Sequence, residues 1–495
     1  MLKRKKYSGV TLILSLLLVS ILSPWSPRQV HAVGEFVDID NYLASAMQRY
    51  NIPGMAVAIT QGDNISFSKG YGTAGSGRNV TPDTPFYIGS QSKSFTALAI
   101  MQLVEQGKLD LDTPVQTYLP WFRVADSQAS QQITIRHLLQ HTSGLSESSY
   151  VSTLPPEATL EMLVRDLSRA ELSTPVGTKM QYFNPGYSTL GLIVETVSGK
   201  SYGDYLRDNI FTPLKMTSTF TDPISAKAAG LAQGFSQVFM LAIPLDQPFI
   251  HYDLPAGYII SSANDMARYL MALVNGGELE SVRVLNPENV EMIFTPNTAI
   301  QSTYGFGWFI SEVAGETKIF HGGDTERFHT SVLILPESNK CFVMLINGNH
   351  LLKDFNEYDS MFKGLSAILT DNPIPKASLS SVLIGWGLFL LWILVLVLAI
   401  RKFVLLPKSW AKMRALDTRH RWMSILSHIL SISITLLVVV VIAPAFLNRG
   451  FSWRWFVGFL PDIAIIVGTL VLDDLLQLLM KIWIMAKLKM TRLTN

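Results

Sequence analysis

The chain has 495 residues, 48% of them apolar, and a formal charge of only +2. With no basic patch in its globular part, that balance argues against a nucleic-acid surface, and a single cysteine excludes a disulfide framework within the chain. Hydropathy is split: residues 33 to about 370 read as ordinary globular protein, and the C-terminal remainder is far more apolar.

The chain opens Met1-Leu2-Lys3-Arg4-Lys5-Lys6, continues in an apolar run from Gly9 to Leu22, and offers a small-residue cleavage site at Val30-His31-Ala32. That layout predicts a signal peptide over 1–32, the alternative being an uncleaved anchor helix; either one exports the domain after it. Helical spacing covers Asp38–Tyr50, and Gly54–Gly72 alternates like a hairpin. Phe95–Gln106 predicts an apolar helix stopping at Gly107. Ile133–Gln140 predicts a short one before the turn Thr142-Ser143-Gly144, and Tyr187–Ser198 a third closing on Gly199. Alternating segments come next at Tyr304–Ile310, Thr317–Phe320, Ser331–Leu335 and Cys341–Ile346, where Cys341 reads as a buried strand thiol. Strands at both ends with helices between predict one α+β domain over 33–370, its terminal strands sharing an antiparallel sheet. There is no internal repeat.

A linker over 371–381, with Pro373 and Pro375, leads into three apolar stretches at about 382–400, 422–447 and 456–480. Each is long enough to cross a bilayer. Asp473 and Asp474 interrupt the third, either near the inner interface, paired within the bundle, or as functional acids. Between the first two stretches, residues 401–421 hold seven Lys/Arg against Asp417 alone, and the tail 481–495 adds four more cations without an acid. The positive-inside rule then puts that loop and the tail in the cytoplasm and the 33–370 domain outside. Trp386, Trp422, Trp453, Trp455 and Trp483 lie near the ends, as an interfacial belt requires.

Ser-x-x-Lys occurs three times, at Ser66–Lys69, Ser90–Lys93 and Ser409–Lys412. The chemistry needs hydroxyl and amine on one face, so that the amine can take the hydroxyl proton. A spacing of three achieves that on a helix but not on a strand. Ser66–Lys69 sits in an alternating strand, and Ser409–Lys412 in the cation-rich loop. Ser90–Lys93 opens an apolar helix whose N-terminus favours negative charge, so Ser90 is the candidate nucleophile. Tyr182-Phe183-Asn184 precedes a helix; Tyr182 could relay a proton and Asn184 orient an amide, or the pair could be a turn tyrosine with a capping asparagine. His321-Gly322-Gly323 ends a strand, where the glycines leave room for substrate backbone and main-chain donors for an oxyanion, or simply make a turn.

Ser90-x-x-Lys93, Tyr182-x-Asn184 and His321-Gly322-Gly323, with the tag Ile133-Thr134-Ile135-Arg136-His137-Leu138-Leu139-Gln140-His141-Thr142-Ser143-Gly144-Leu145, resemble class C-type β-lactamases and related DD-peptidases and esterases over roughly 40–350. The resemblance implies an antiparallel sheet flanked by helices plus an all-α subdomain, followed here by the transmembrane helices. It makes Ser90 the acylated nucleophile, lets Lys93 and Tyr182 share general-base duty, and builds the oxyanion hole from the N–H groups of Ser90 and Asp324. His321 stands where true class C enzymes carry a lysine, which lowers the expectation of efficient antibiotic hydrolysis. With three C-terminal spans the layout looks like membrane-bound D-amino-acid-specific peptidases that mature acylated peptide prodrugs, or wall-directed relatives acting on D-alanyl esters. The implied activity is that of a D-amino-acid-specific or DD-carboxypeptidase-like hydrolase on cell-wall or acyl-peptide substrates, without cofactor. The alternatives are a β-lactamase and an inactive receptor for cell-wall peptides. A zinc site at His137 and His141 is disfavoured, because no glutamate lies between them and no third ligand appears at a recognisable spacing.

The charge pattern fixes one expectation. A reporter fused after Lys412 should be cytoplasmic and one fused near Asn448 external; both on one side would overturn the three-span arrangement.

Overall fold

The computed structural model describes residues 35–239, 241–313, 315–377, 380–446 and 450–493; the expected signal peptide lies outside them. The chain divides into two compact units, Met1–Leu43 and Ala44–Asn495, and the helix Glu35–Tyr50 runs across the boundary.

A seven-stranded sheet organises the second unit. Its strands are β1 (Gly54–Gln61), β2 (Asn64–Gly75), β3 (Arg78–Asn79), β4 (Phe309–Val313), β5 (Glu316–Asp324), β6 (His329–Leu335) and β7 (Lys340–Ile346). Their spatial order is β4-β5-β6-β7-β1-β2-β3, and the pairings between neighbours are antiparallel. The first and last strands of the sheet in chain order meet near its centre, where Met55 pairs with Ile346 and Gln61 with Lys340. β1 and β6 are buried nearly throughout. Such strands are covered on both faces and lose the polar alternation of a half-solvated one. Phe342 and Phe320 pack on Phe362 of the helix Asp359–Leu369. The intervening Val343 and Cys341 join the main core with the helix Ala263–Val274. Cys341 is the buried thiol expected, and burial pushes its pKa up to about 12.

The helix Ser92–Glu105 runs through the interior, buried from Ser92 to Leu103. A helix apolar all round is stable only when other elements enclose it. Asn184–Ser198 closes on Gly199, whose φ of 71° is the left-handed conformation that suits glycine at a helix C-terminus. The stretch expected as a strand over Tyr304–Ile310 becomes one only at Phe309. Gly307, at φ +79°, bends the chain there, and its missing side chain brings it against the backbone of Lys93 and Ser94.

Three helices are long and apolar enough to cross a membrane: Val382–Val404, Thr418–Ala445 and Pro461–Leu488. The third starts later than the hydropathy suggests, because Trp453–Phe459 is a separate short helix and Pro461 opens the long one. Ser409 and Lys412 fall on a further helix, Leu406–Ala415, so helical spacing alone does not separate that pair from Ser90–Lys93. The two aspartates of the third helix are paired across the bundle, Asp473 with Lys402 at 2.6 Å and Asp474 with His428 at 2.7 Å.

Candidate active site

Ser90 lies in the turn Gly89–Gln91 that leads into the interior helix. Gly89 has φ +54°, and a Cβ there would stand 2.3 Å from the backbone nitrogen of Asp324. Gly323 is just as constrained, since its Cβ would meet the Ile88 carbonyl oxygen at 2.0 Å. The two glycines therefore let the turn and β5 touch backbone to backbone, which sets the Ser90 turn beside the Asp324 N–H. β5 does not end at the glycines; Gly322, Gly323 and Asp324 stay in register with Ser331, Thr330 and His329.

One turn along, the Lys93 side chain is fully buried. Its Nζ lies 3.1 Å from Ser90 Oγ, 2.6 Å from Asn184 Oδ1 and 2.6 Å from the Ala256 carbonyl oxygen. Burial lowers its pKa well below the usual lysine range, and the charges of Asp253 and Glu147 offset only part of that. Asp253 is pushed the opposite way, upward, chiefly by its own burial. Both members are thus driven toward their neutral forms. Asn184 is held in turn by Glu147, whose Oε1 accepts from the Asn184 backbone N–H and from its Nδ2, each at 2.9 Å. This network fixes which end of the amide faces the lysine.

Tyr182 completes the group. Lys93 Nζ stands 4.7 Å from the centre of its ring. Burial raises the phenol pKa well above 10, with a hydrogen bond to Ser90 working against the rise. His141 brackets this tyrosine: its carbonyl accepts from Gln181 N–H at 2.7 Å, and its Nδ1 accepts from Phe183 N–H at 3.2 Å. Its ring packs 4.3 Å from that of Tyr182, and its backbone sits at φ +56°, in the left-handed region that non-glycine residues adopt uncommonly.

His321 does not join the cleft. It is 3% exposed, its Nε2 accepts from Tyr304 Oη at 3.1 Å, and its Nδ1 donates to the Gly322 carbonyl. Burial, with Lys93 nearby, lowers its pKa to about 3, so the ring is neutral at any working pH. Ser90, Tyr182, Asn184 and Asp324 line a cleft of about 600 Å³, and Lys93 lies beneath them. The carboxylates of Glu147, Asp253, Glu326 and Asp354 line it too, as does Arg454 from the segment between the second and third apolar helices. Sequence reasoning passed over Glu147, Asp253 and Arg454. Glu147 lies two residues past the Thr142–Leu145 tag, and its position there was the available signal.

His137 and His141 have structural partners: His137 Nδ1 meets Thr134 in a helix cap, and His141 holds the Tyr182 segment. Among the described residues one group of three has donor atoms close enough to hold a cation, Asp324, His329 and Asp354. There His329 Nδ1 is already bonded to Asp324 Oδ1 at 2.9 Å, and its Nε2 meets Ser331 Oγ at 2.8 Å.

Residues 39–360 match the Beta-lactamase family. Protein flp of Staphylococcus aureus (strain COL) is 29% identical over 317 residues, 63% of this chain and 63% of that protein. The chain thus spans less than two thirds of the length of that relative. Penicillin-binding protein 4 of Amycolatopsis lactamdurans is 31% identical over 342 residues, 66% of this chain and 88% of the relative. The octameric penicillin-binding protein homologue from Pyrococcus abyssi superposes with a TM-score of 0.61 at 26% identity, covering 70% of this chain and 80% of its own.

The contact between β5 and the Ser90 turn can be tested directly. Gly323→Ala drives a methyl group into backbone that cannot yield, and overpacking of this kind costs ~1–3 kcal/mol. The thermal midpoint of the full chain should fall accordingly; an unchanged midpoint would show that the contact is looser than described.

Proposed function

Because the chain belongs to the Beta-lactamase family, whose members are generally serine hydrolases, we propose that it is a membrane-anchored, extracytoplasmic hydrolase working through an acyl-enzyme on Ser90. We further propose that its substrates are amides or esters of a D-amino acid from cell-wall or acyl-peptide material. The hydrogen-bond inventory of Lys93 Nζ carries this reading. Asn184 Oδ1 and the Ala256 carbonyl can only accept, so they occupy two N–H bonds of the amine. In the free base that burial favours, the remaining position is a lone pair, and it faces Ser90 Oγ at 3.1 Å.

In this reading the Ser90 hydroxyl passes its proton to Lys93 Nζ as Oγ bonds to the substrate carbonyl carbon. The oxyanion forms between the N–H groups of Ser90 and Asp324. As the tetrahedral intermediate collapses, Tyr182, a phenol throughout because its pKa is raised, gives its proton to the leaving group and recovers one from the Lys93 ammonium. Water then attacks the ester, its proton returning through the same pair, and Ser90 is regenerated. The three apolar helices and the cation-rich loop support the anchoring and the external placement of the 33–370 domain.

Substrate class follows from charge. His321, neutral and buried, supplies no cation to the cleft, and Arg454, which lines it, is paired with Glu326. Carboxylates line it on other sides. A substrate with a free terminal carboxylate, such as a penicillin or a D-Ala-D-Ala terminus, therefore gains no ion pair from either group, and an ester or amide lacking one loses nothing by it.

Full-length protein in lipid nanodiscs should turn over an N-acyl-D-amino-acid amide or a D-alanyl ester faster than the L-enantiomer and faster than a chromogenic cephalosporin, and Ser90→Ala should abolish it. Faster cephalosporin turnover, or no preference for D, would overturn the substrate class. Lys93→Ala should slow acylation at least ~10²-fold, the scale of a lost general base, with little change in binding. An equal loss from Lys69→Ala or Lys412→Ala would mean the wrong pair was chosen. The free-amine fraction of Lys93 grows as pH rises through its lowered pKa. Acylation should therefore climb from the acid side with a midpoint well below 10.5, and a midpoint near 10.5 would remove the lysine from the role of base.

A further inference from the structure

We propose that the segment 450–460, between the second and third apolar helices, is a wall of the Ser90 cleft, and that Arg454 and Trp455 within it select substrates by the groups beyond the scissile unit. The proposal rests on Ser90 being the nucleophile.

A segment that only joined two membrane helices would have no reason to bury polar groups against the catalytic part, yet this one does so repeatedly. Gly450 N–H donates to the Glu147 carbonyl at 2.7 Å. The approach is close enough that a Cβ at 450 would come within 2.1 Å of Val151 Cγ2. Arg454 Nε donates to Glu326 Oε1 at 2.8 Å and its Nη2 to Tyr258 Oη at 3.3 Å. The Glu326 side chain is 7% exposed and that of Arg454 33%, so the pair is shielded from solvent in a way surface pairs are not. Gly458 lies against the Glu326 side chain, where a Cβ would be 2.5 Å from Cγ. Just past the segment, Asp462 Oδ1 meets His350 Nε2 at 2.7 Å, with both side chains buried.

These attachments leave particular side chains facing the cleft. Arg454, Trp455 and Phe459 line it together with Ser90, Tyr182 and Asn184. The Trp455 and Phe459 rings stack 5.7 Å apart, at 24°, and are half-buried. A stacked aromatic pair edged by a guanidinium offers a rigid contact surface at low entropic cost. Gly450 also touches Glu147, which holds Asn184 and, through it, Lys93. The wall is thus contiguous with the reacting group.

The test uses the full chain in nanodiscs and two kinds of substrate, a minimal N-acetyl-D-alanyl ester and the same ester extended by an aryl group on the acyl or the alcohol side. For one of the extended esters, the ratio of its kcat/KM to that of the minimal ester should fall about tenfold in Trp455→Ala, the order of effect of a central aromatic contact. Arg454→Ala should lower it similarly, with partial recovery in Arg454→Lys. Because Arg454→Ala leaves the Glu326 carboxylate without its partner, the Trp455 variant keeps the test decisive if the arginine variant fails to fold. Ratios unchanged for both extended esters in Trp455→Ala would overturn the proposal. Ser90-independent turnover by the unmodified protein would instead sink the nucleophile assignment, and the wall with it.

Discussion

An amine buried among neutral acceptors is the constraint on which the rest of this site depends. Lys93 is fully enclosed, and its Nζ is bonded to a hydroxyl, an amide oxygen and a main-chain carbonyl. Holding an ammonium in such a place costs several kcal/mol, so the surroundings favour the free base. Keeping that base pointed at Ser90 requires three distant segments to converge: the interior helix Ser92–Glu105, the start of Asn184–Ser198, and the short helix Leu254–Gly257. Each is fixed by something else. Glu147 holds Asn184, the sheet backs the Ser90 turn through Gly323, and Thr96 Oγ1 ties the interior helix to the Pro255 carbonyl at 2.7 Å.

The opposite solution operates a few ångströms away. His321 is turned inward between Tyr304 and the ring of Phe309, which lies 5.3 Å off, and so forms part of the aromatic packing behind Tyr182. The lowered basicity of Lys93 and of His321 has one origin: burial disfavours the charged form of each, as it does of Asp253.

How much of this was legible in the sequence depended on whether the signal was local. Helical spacing, a local property, marked both Ser90–Lys93 and Ser409–Lys412 and did not by itself choose between them, whereas the stops at Gly107 and Gly199 were legible because left-handed glycine is local too. β1 was harder: Gly54–Gly72 reads as a hairpin, which pairs β1 with β2, but nothing local shows that its other edge is taken by β7 from the far end of the domain or that it is buried nearly throughout. Glu147 and Arg454 were invisible for another reason. A lone acid after a turn and a lone arginine between apolar helices look like surface charges until the partner, Asn184 in one case and Glu326 in the other, is brought alongside from far along the chain. The third apolar helix was misjudged by a few residues because hydropathy counts the aromatic Trp453–Phe459 with the long helix after it, although Pro461 separates them.

The sheet has a temporal consequence. β1 is made early in synthesis but pairs on one side with the central strand β7, whose last residue, Ile346, is made much later. Until then only the β1–β2–β3 portion can form, and the other edge of β1 stays open. Closing so large a loop is slow, and an open strand edge invites pairing with other chains. The first apolar helix begins at Val382, soon after Ile346. The long apolar helices are therefore made at about the moment the sheet first becomes able to close, so their exposure and that of the open strand edge coincide.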